Sequence, residues 1–378
     1  MRRKGFHEPS HSLPPMTPLT HAPHAHAPMT VGQVMATVML ALVPATLYGF
    51  WLYGWPAIFL WTVAMGTALL AEAAALFLQG RAAKPTLLDG SAALTAWLLA
   101  VSLPPFAPWW VAAIGSAFAI IIAKQVFGGL GQNVFNPAMA ARVMLLISFP
   151  VEMTMWAAPM PITTAHAPDF LQSLAITFGG AQWDGMASAS LLGHVKTEFT
   201  RGVDLATSLP AHFASIHGGL LDAAWGNRAG SLGETAGLLL LAGGVFLIVR
   251  GVITWHAPVA MLLGVAVPAL IGHALDPAHY LGVLPHLLSG GLMLAAFFIV
   301  TDPVTSPNTP VGMFVFGLLC GLLTWIIRSW GGYPEGVAFA VMIMNSLAPI
   351  IDRYVKPRIY GRDRKGRSLQ LEPKENVR

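Results

Sequence analysis

The sequence predicts an all-α polytopic membrane protein of about ten transmembrane helices. Three observations carry that expectation. First, of 378 residues 55% are hydrophobic and only 10% charged, with a mean hydropathy of +0.63. Soluble domains carry roughly 25% charged residues, and each charge placed in hydrocarbon costs at least about 2.5–3.5 kcal/mol. Second, the apolar residues are gathered into runs close to spanning length. Third, Lys and Arg are concentrated in connections that fall on one side of such a layout. The composition excludes a soluble enzyme, a disordered scaffold and a nucleic-acid binder. The net charge of +4 needs no polyanion, because the basic residues are strongly localised. The single cysteine, Cys320, lies in an apolar run, so neither a disulfide framework nor a Cys-ligated cluster or zinc site is available within the chain.

Residues 1–30 are polar, rich in Pro and His, and without helical or strand period. They read as a mobile tail. Arg2, Arg3 and Lys4 are followed by no apolar stretch within about fifteen residues, so no cleavable signal is expected. His7, His11, His21, His24 and His26 belong to this tail.

Apolar runs follow near 31–53, 55–79, 88–104, 108–127 and 135–150, and a first repeat is assigned to 31–150. A mostly polar stretch, 151–232, separates it from a second repeat, 233–351, with runs near 235–250, 256–274, 287–301, 310–328 and 335–351. A basic tail, 352–378, closes the chain. Several runs are only about fifteen to seventeen residues long, against the roughly twenty of a full span. Flanked by Gly and Pro, they predict short or broken helices around a buried site.

The repeat is visible in the residues. Leu87-Leu88-Asp89-Gly90-Ser91 opens one short run and Leu287-Leu288-Ser289-Gly290-Gly291 another; Phe127-Gly128-Gly129 corresponds to Trp330-Gly331-Gly332. With five spans in each half, the second half is inverted relative to the first, and a site is expected where the halves meet. Both termini then lie in the cytoplasm with Arg81, Lys84, Lys124, Arg250 and the C-terminal basic cluster. Lys196, Arg201, Arg228 and Arg328 fall on the other side, a positive-inside pattern. Residues 151–232 become an extracytoplasmic loop.

Four groups of residues can carry chemistry. In Gly128-Gly129-Leu130-Gly131-Gln132-Asn133-Val134-Phe135-Asn136-Pro137, glycines permit close backbone approach, and Asn133 and Asn136, three apart, offer donors and acceptors together. As a bare pattern the segment fits equally a turn with an N-capping Asn and Pro at the first helical position. Asp184-Gly185-Met186-Ala187-Ser188-Ala189-Ser190 is a small-residue loop whose hydroxyls a modifying enzyme can reach. Ser231 and Glu234 have capping-box spacing, which starts a helix and also suits a phosphate. Asp89, Asp302 and Asp352 sit at helix ends and Glu72 within a span; membrane acids are functional candidates, and helix-end acids are equally often solvated termini.

Taken together, GGLGQNVFNPAMAAR (128–142), AGSLGET (229–235), TDPVTS (301–306) and YPEGVAFAVMIMNSLAPIID (333–352) resemble one family in order and position. It comprises the D subunit of the Rnf electron-transport complex and the B subunit of the sodium-pumping NADH:quinone reductase. The resemblance, over roughly residues 30–355, implies an inverted-repeat bundle carrying flavins. One FMN is attached through its phosphate to a hydroxyl in a motif matching Asp184 to Ser190, which puts Ser190 at the acceptor position with Asp184 and Gly185 in the recognised segment. Ala187 and Ser188 depart from the family pattern. A second, non-covalent flavin, riboflavin, is associated in the quinone-reductase relatives with the counterparts of Asn133 and Asn136. Acids implicated in cation passage match Asp89, Asp302 and Asp352.

The short His/Pro tail resembles the Rnf branch, whose complex exchanges electrons between ferredoxin and NAD(H) while moving ions across the bacterial inner membrane. That resemblance implies partners: further membrane and peripheral subunits, among them an FMN-carrying subunit and iron–sulfur subunits. The chain has no dinucleotide fingerprint, so NAD(H) belongs to a partner. Two other readings stand beside this one: the quinone-reductase B subunit, and an inverted-repeat secondary transporter without a redox cofactor.

Overall fold

The computed structural model describes residues 29–181, 190–205, 225–226 and 228–357. Asp184 and Gly185 lie outside the described residues, as do nearly all of 1–30 and the chain beyond 357. The chain divides into a unit of residues 1–30 and one of 31–378; the described helices all belong to the second. Among the described residues there is no β-strand.

Helix α1 (Val31–Tyr53) and α2 (Trp55–Leu78) are joined by Gly54 alone. Its φ of 69° lies in the positive range that glycine adopts without a Cβ penalty. α3 (Ala83–Leu87) is a single turn and α4 (Ser91–Ser102) has only twelve residues. α5 (Trp109–Ile120) runs on into a π turn at Ile121–Gln125, and α6 (Pro137–Ser148) completes the first series.

Three short helices follow: α7 (Pro150–Thr154), α8 (Phe170–Gly179) and α9 (Leu191–Thr200). A turn, α10 (Leu232–Thr235), then leads into α11 (Gly237–Val249) and α12 (His256–Leu275). α13 (Val283–Leu288) is short again, and α14 (Leu292–Leu294) passes at once into a second π turn, Ala295–Ile299. α15 (Pro310–Trp330) and α16 (Val337–Tyr354) close the chain.

The second series repeats the order of the first and runs in the opposite sense. The start of α1 (Val34, Met35) shares a cavity with Leu247 near the end of α11, while Gly49 near the end of α1 abuts Leu232 just before α11. α2 starts beside Ile162 and ends where Gln79 Nε2 donates to Gln125. α12, its counterpart, starts near Thr254, which donates to Met313, and ends where His273 bonds Tyr280. We call the end holding Met35, Gln125 and Met313 the cavity end, and the end holding Ile162, Leu232 and Tyr280 the loop end.

Packing explains the glycines. A Cβ on Gly264 would collide with the carbonyl of Leu318, and one on Gly321 with that of Met261, so α12 and α15 touch backbone to backbone. This is how membrane helices gain contact where lipid is as apolar as the side chains. The short helices meet inside the bundle: buried Gly233 lies between Val101 of α4 and Leu294 of α14.

Among the described residues five helices, α1, α2, α12, α15 and α16, are long and apolar enough to cross a membrane. The other apolar helices run to 10–17 residues, short of a full span. Each of the ten apolar runs contains a helix. The stretch 151–232, read from sequence as a polar loop, contains α8, whose Phe170 and Phe178 pack on Trp55, Phe59 and Trp109.

Candidate functional site

At the cavity end lies a cleft of about 800 Å³, its mouth included. It opens between the start of α1, α4, the Gly-rich segment, the end of α11 and the second π turn. Its walls are mostly apolar: Met35, Val38, Leu98, Phe297 and Phe298. A few polar side chains converge on it: Ser91, Thr95, Lys124, Asn133, Asn136, Thr301 and Asp302. Apolar walls with a few placed polar groups define an ordinary small-molecule site. Both π turns contribute, Lys124 from the first and Phe297 and Phe298 from the second. A π turn adds one residue to a helix and re-aims its side chains, which is why such turns gather at functional sites.

Asn136 joins the two series. Its Oδ1 accepts from the Met139 N–H at 3.2 Å, making it the N-cap of α6 with Pro137 next. Its Nδ2 donates to Asp302 Oδ2 at 3.2 Å, and its backbone N–H donates to Asn345 Oδ1 at 3.0 Å. Asn345 Nδ2 donates to the Thr305 carbonyl, and the Thr305 hydroxyl donates back to Asp302 Oδ2 at 3.1 Å. The ring Asn136–Asp302–Thr305–Asn345 is therefore closed through hydrogen bonds. The capping alternative in the sequence is thus realised at Asn136, together with a place on the cavity wall. Asn133 is buried on the same wall and donates to the Phe135 carbonyl. It precedes α6 in the loop, so the two Asn meet through loop geometry and not along a helix face.

The three helix-end acids separate. Asp302 stands in the cavity wall. Asp89 accepts the Ser91 N–H at 2.7 Å at the head of α4, next to Gly90, which packs on Met35. Asp352 is turned away: its carboxylate accepts from the backbone and side-chain amides of Asn308, a tie between α16 and the 303–309 turn.

Sequence reading missed a third feature. Lys124, placed among the cytoplasmic charges, is buried: its Nζ lies 2.8 Å from Glu72 Oε1 and 2.8 Å from Ser91 Oγ. The exposures of the two charged side chains are 2% and 0%. Periodicity cannot pair residues 52 apart, and the only sequence signal was an acid inside a span. Arg81, Lys84 and Arg250 at the same end are exposed, so they remain the charges that bear on sidedness.

At the loop end the polar groups are packed on one another. Arg328 donates to the carbonyls of His286 and Ser289 and to Glu335 Oε1 at 3.1 Å. Glu335 Oε2 accepts the Gly291 N–H at 2.8 Å. Arg228 donates to Ser289 Oγ and to the Leu288 carbonyl. Burial pushes the Glu335 carboxyl up; Arg328 and then Arg142, with the bonds from Gly291 and Arg328, outweigh it and hold the group below the ordinary carboxylate range. The Pro-Glu-Gly string around Glu335 stood out in the sequence only as part of a longer motif.

Ser190 lies beside this cluster. It is 8% exposed and its Oγ accepts the Gly193 N–H at 3.2 Å at the head of α9. It lines a narrow cleft with Arg142, Trp156, Leu192 and Glu335. Ser231 is buried with no partner for its hydroxyl among the described residues.

The fold and these sites define a class: a multi-pass helical membrane protein with polar sites buried where two oppositely directed helix series meet. The model of the NQR2, RnfD, RnfE family matches residues 18–361, and the chain belongs to that family. It is similar to the D subunit of the ion-translocating oxidoreductase complex of Stutzerimonas stutzeri, 52% identical over 90% of this chain and 95% of the relative. It is likewise similar to the proteins of that name from Halorhodospira halophila, at 48% over 94% and 99%, and Cronobacter sakazakii, at 44% over 91% and 98%.

Proposed function

We propose that the chain is the D-type membrane subunit of an ion-translocating oxidoreductase complex of the Rnf type, that it carries flavins, and that it couples electron relay to ion movement. The observation that carries this reading is likeness over nearly the whole length to relatives bearing that name. In this reading ferredoxin and NAD(H) are handled by partner subunits, and the chain sits in the bacterial inner membrane with both termini cytoplasmic.

The residues present fit a covalent FMN at Ser190. Its hydroxyl stands at the N-terminus of α9, where backbone N–H groups favour a phosphate, and Arg142 lines the same cleft. Because Ser190 is buried, a flavin transferase has to act while that hydroxyl is still accessible. The cavity suits a second, non-covalent flavin: Phe297 and Phe298 offer apolar walls, and Asn133, Thr95 and Ser91 offer hydrogen-bonding groups. A flavin supplies one- and two-electron transfer; the chain supplies its orientation, its hydrogen bonds and the exclusion of water. Asp302, on the same wall, places an acid where a change of charge in the cavity is felt.

The test is mass spectrometry of the intact chain, expressed with a flavin transferase. A mass increase matching one FMN supports the reading, and an unmodified mass overturns its covalent part. Reporter fusions after Val203 and after Arg364 should report opposite sides of the membrane; the same side for both removes the proposed topology.

A further inference from the structure

We propose that Lys124, with Ser91, forms a donor pair for the acceptor-rich edge of the cavity's ligand, and that Glu72 sets its charge balance from behind. This rests on the flavin reading of the cavity. An ammonium has three donors. Lys124 uses one on Glu72 and one on Ser91, and the third has no partner among the described residues. The Ser91 hydroxyl accepts from Lys124, and its own hydrogen has no acceptor among the described residues. Both side chains line the cavity, whereas Glu72 does not. Asp302, also on the lining, already accepts from Asn136, Thr305 and the Val304 N–H. The lining therefore offers a cation with a free donor beside an acid already engaged by three hydrogen bonds, which suits a ring edge that gains negative charge.

Two consequences have opposite signs. An ammonium beside the ring favours its reduced, more negative form, so Lys124→Gln should lower the midpoint potential of the non-covalent flavin. Glu72→Gln leaves that ammonium unbalanced and should raise it. A role confined to packing moves neither potential in a charge-dependent direction.

The experiment is a redox titration of the non-covalent flavin in the purified complex, alongside its flavin content and its covalent-flavin fluorescence. We expect at least a tenfold change in preference between the two redox forms for each variant, about 30 mV for a two-electron couple, negative for Lys124→Gln and positive for Glu72→Gln. Lys124→Arg should stay near wild type. Ser91→Ala, the gentlest change, should shift the potential in the negative direction by less, and it decides the matter if the charge variants fail to assemble. Unchanged potentials, or shifts of the same sign for Lys124→Gln and Glu72→Gln, overturn the donor pair. Wild-type complex without any non-covalent flavin overturns instead the flavin reading on which it rests.

Discussion

At the cavity end, polar side chains surround open space; at the loop end they close on one another. Lys124, Asn133 and Asp302 each keep a face on the cleft, and their partners are chiefly neutral groups apart from Glu72. Arg328 and Glu335 instead bond each other and the backbone of 286–291. The difference teaches what each can do. A site that binds and releases must leave polar groups available, whereas a charge cluster bonded chiefly to itself and to nearby backbone fixes the approach of loops and short helices. Ser190 belongs to the second kind of place, which suits a group attached for good, and the cavity suits one that is held without a bond.

The largest effect expected from breaking this comparison is at Ser190. Ser190→Ala should abolish flavin fluorescence on a denaturing gel while non-covalent flavin in the cavity stays; Ser190→Thr should keep both. A band that persists in Ser190→Ala moves the attachment elsewhere, with Ser188 the first candidate.

Next comes Arg328→Leu, which removes the ion pair at Glu335 Oε1 and leaves that buried acid with Arg142 as its remaining cation. Breaking a buried pair costs about 3–5 kcal/mol, so thermal unfolding of the detergent-solubilised protein should shift strongly downward. Non-covalent flavin in the surviving folded fraction should be unchanged. Loss of that flavin in step with stability would show the two ends to be one cooperative site.

Asn136→Ala removes a cap worth about 0.5–2 kcal/mol and unties Asp302. The expected result is moderate destabilisation with loss of non-covalent flavin and retention of the covalent one. Asp302→Asn keeps the shape and removes the charge: we expect bound flavin with slower ion-coupled electron transfer, measured in proteoliposomes. Wild-type coupling would return Asp302 to the role of a hydrogen-bonded helix end.

The smallest expected effect is one of pH. Glu335 is held below the ordinary carboxylate range in the fold. Its stabilisation is therefore complete above the unfolded-state value and is lost as pH falls through the lowered one. Unfolding temperature followed downward from neutral pH should drop in the acid range, and Glu335→Gln should flatten that drop.

Much of this was legible in the residues. The ten apolar runs each hold a helix, because burial in lipid demands continuous apolar stretches and intrahelical hydrogen bonds. Asn136-Pro137 gave the start of α6, since capping is a local interaction. The π turns at 121–125 and 295–299 were not legible: both look like ordinary apolar helix, and the extra residue is settled by what the helix packs against. Nor was α8 legible, since its ten residues lie in a stretch that is polar on average.

What the sequence by itself determined was the class, the position and order of ten apolar runs that each hold a helix, and a family motif set that singled out Asn133, Asn136, Ser190 and the acids. What only the tertiary structure decided was which of them meet. It put Asp302 and Asn345 on Asn136 from far along the chain, sent Asp352 to Asn308 instead, and folded Lys124 inward onto Glu72. The physical reason is that a charge or amide in an apolar bundle must find a partner wherever packing brings one, and that geometry is set by all the helices together.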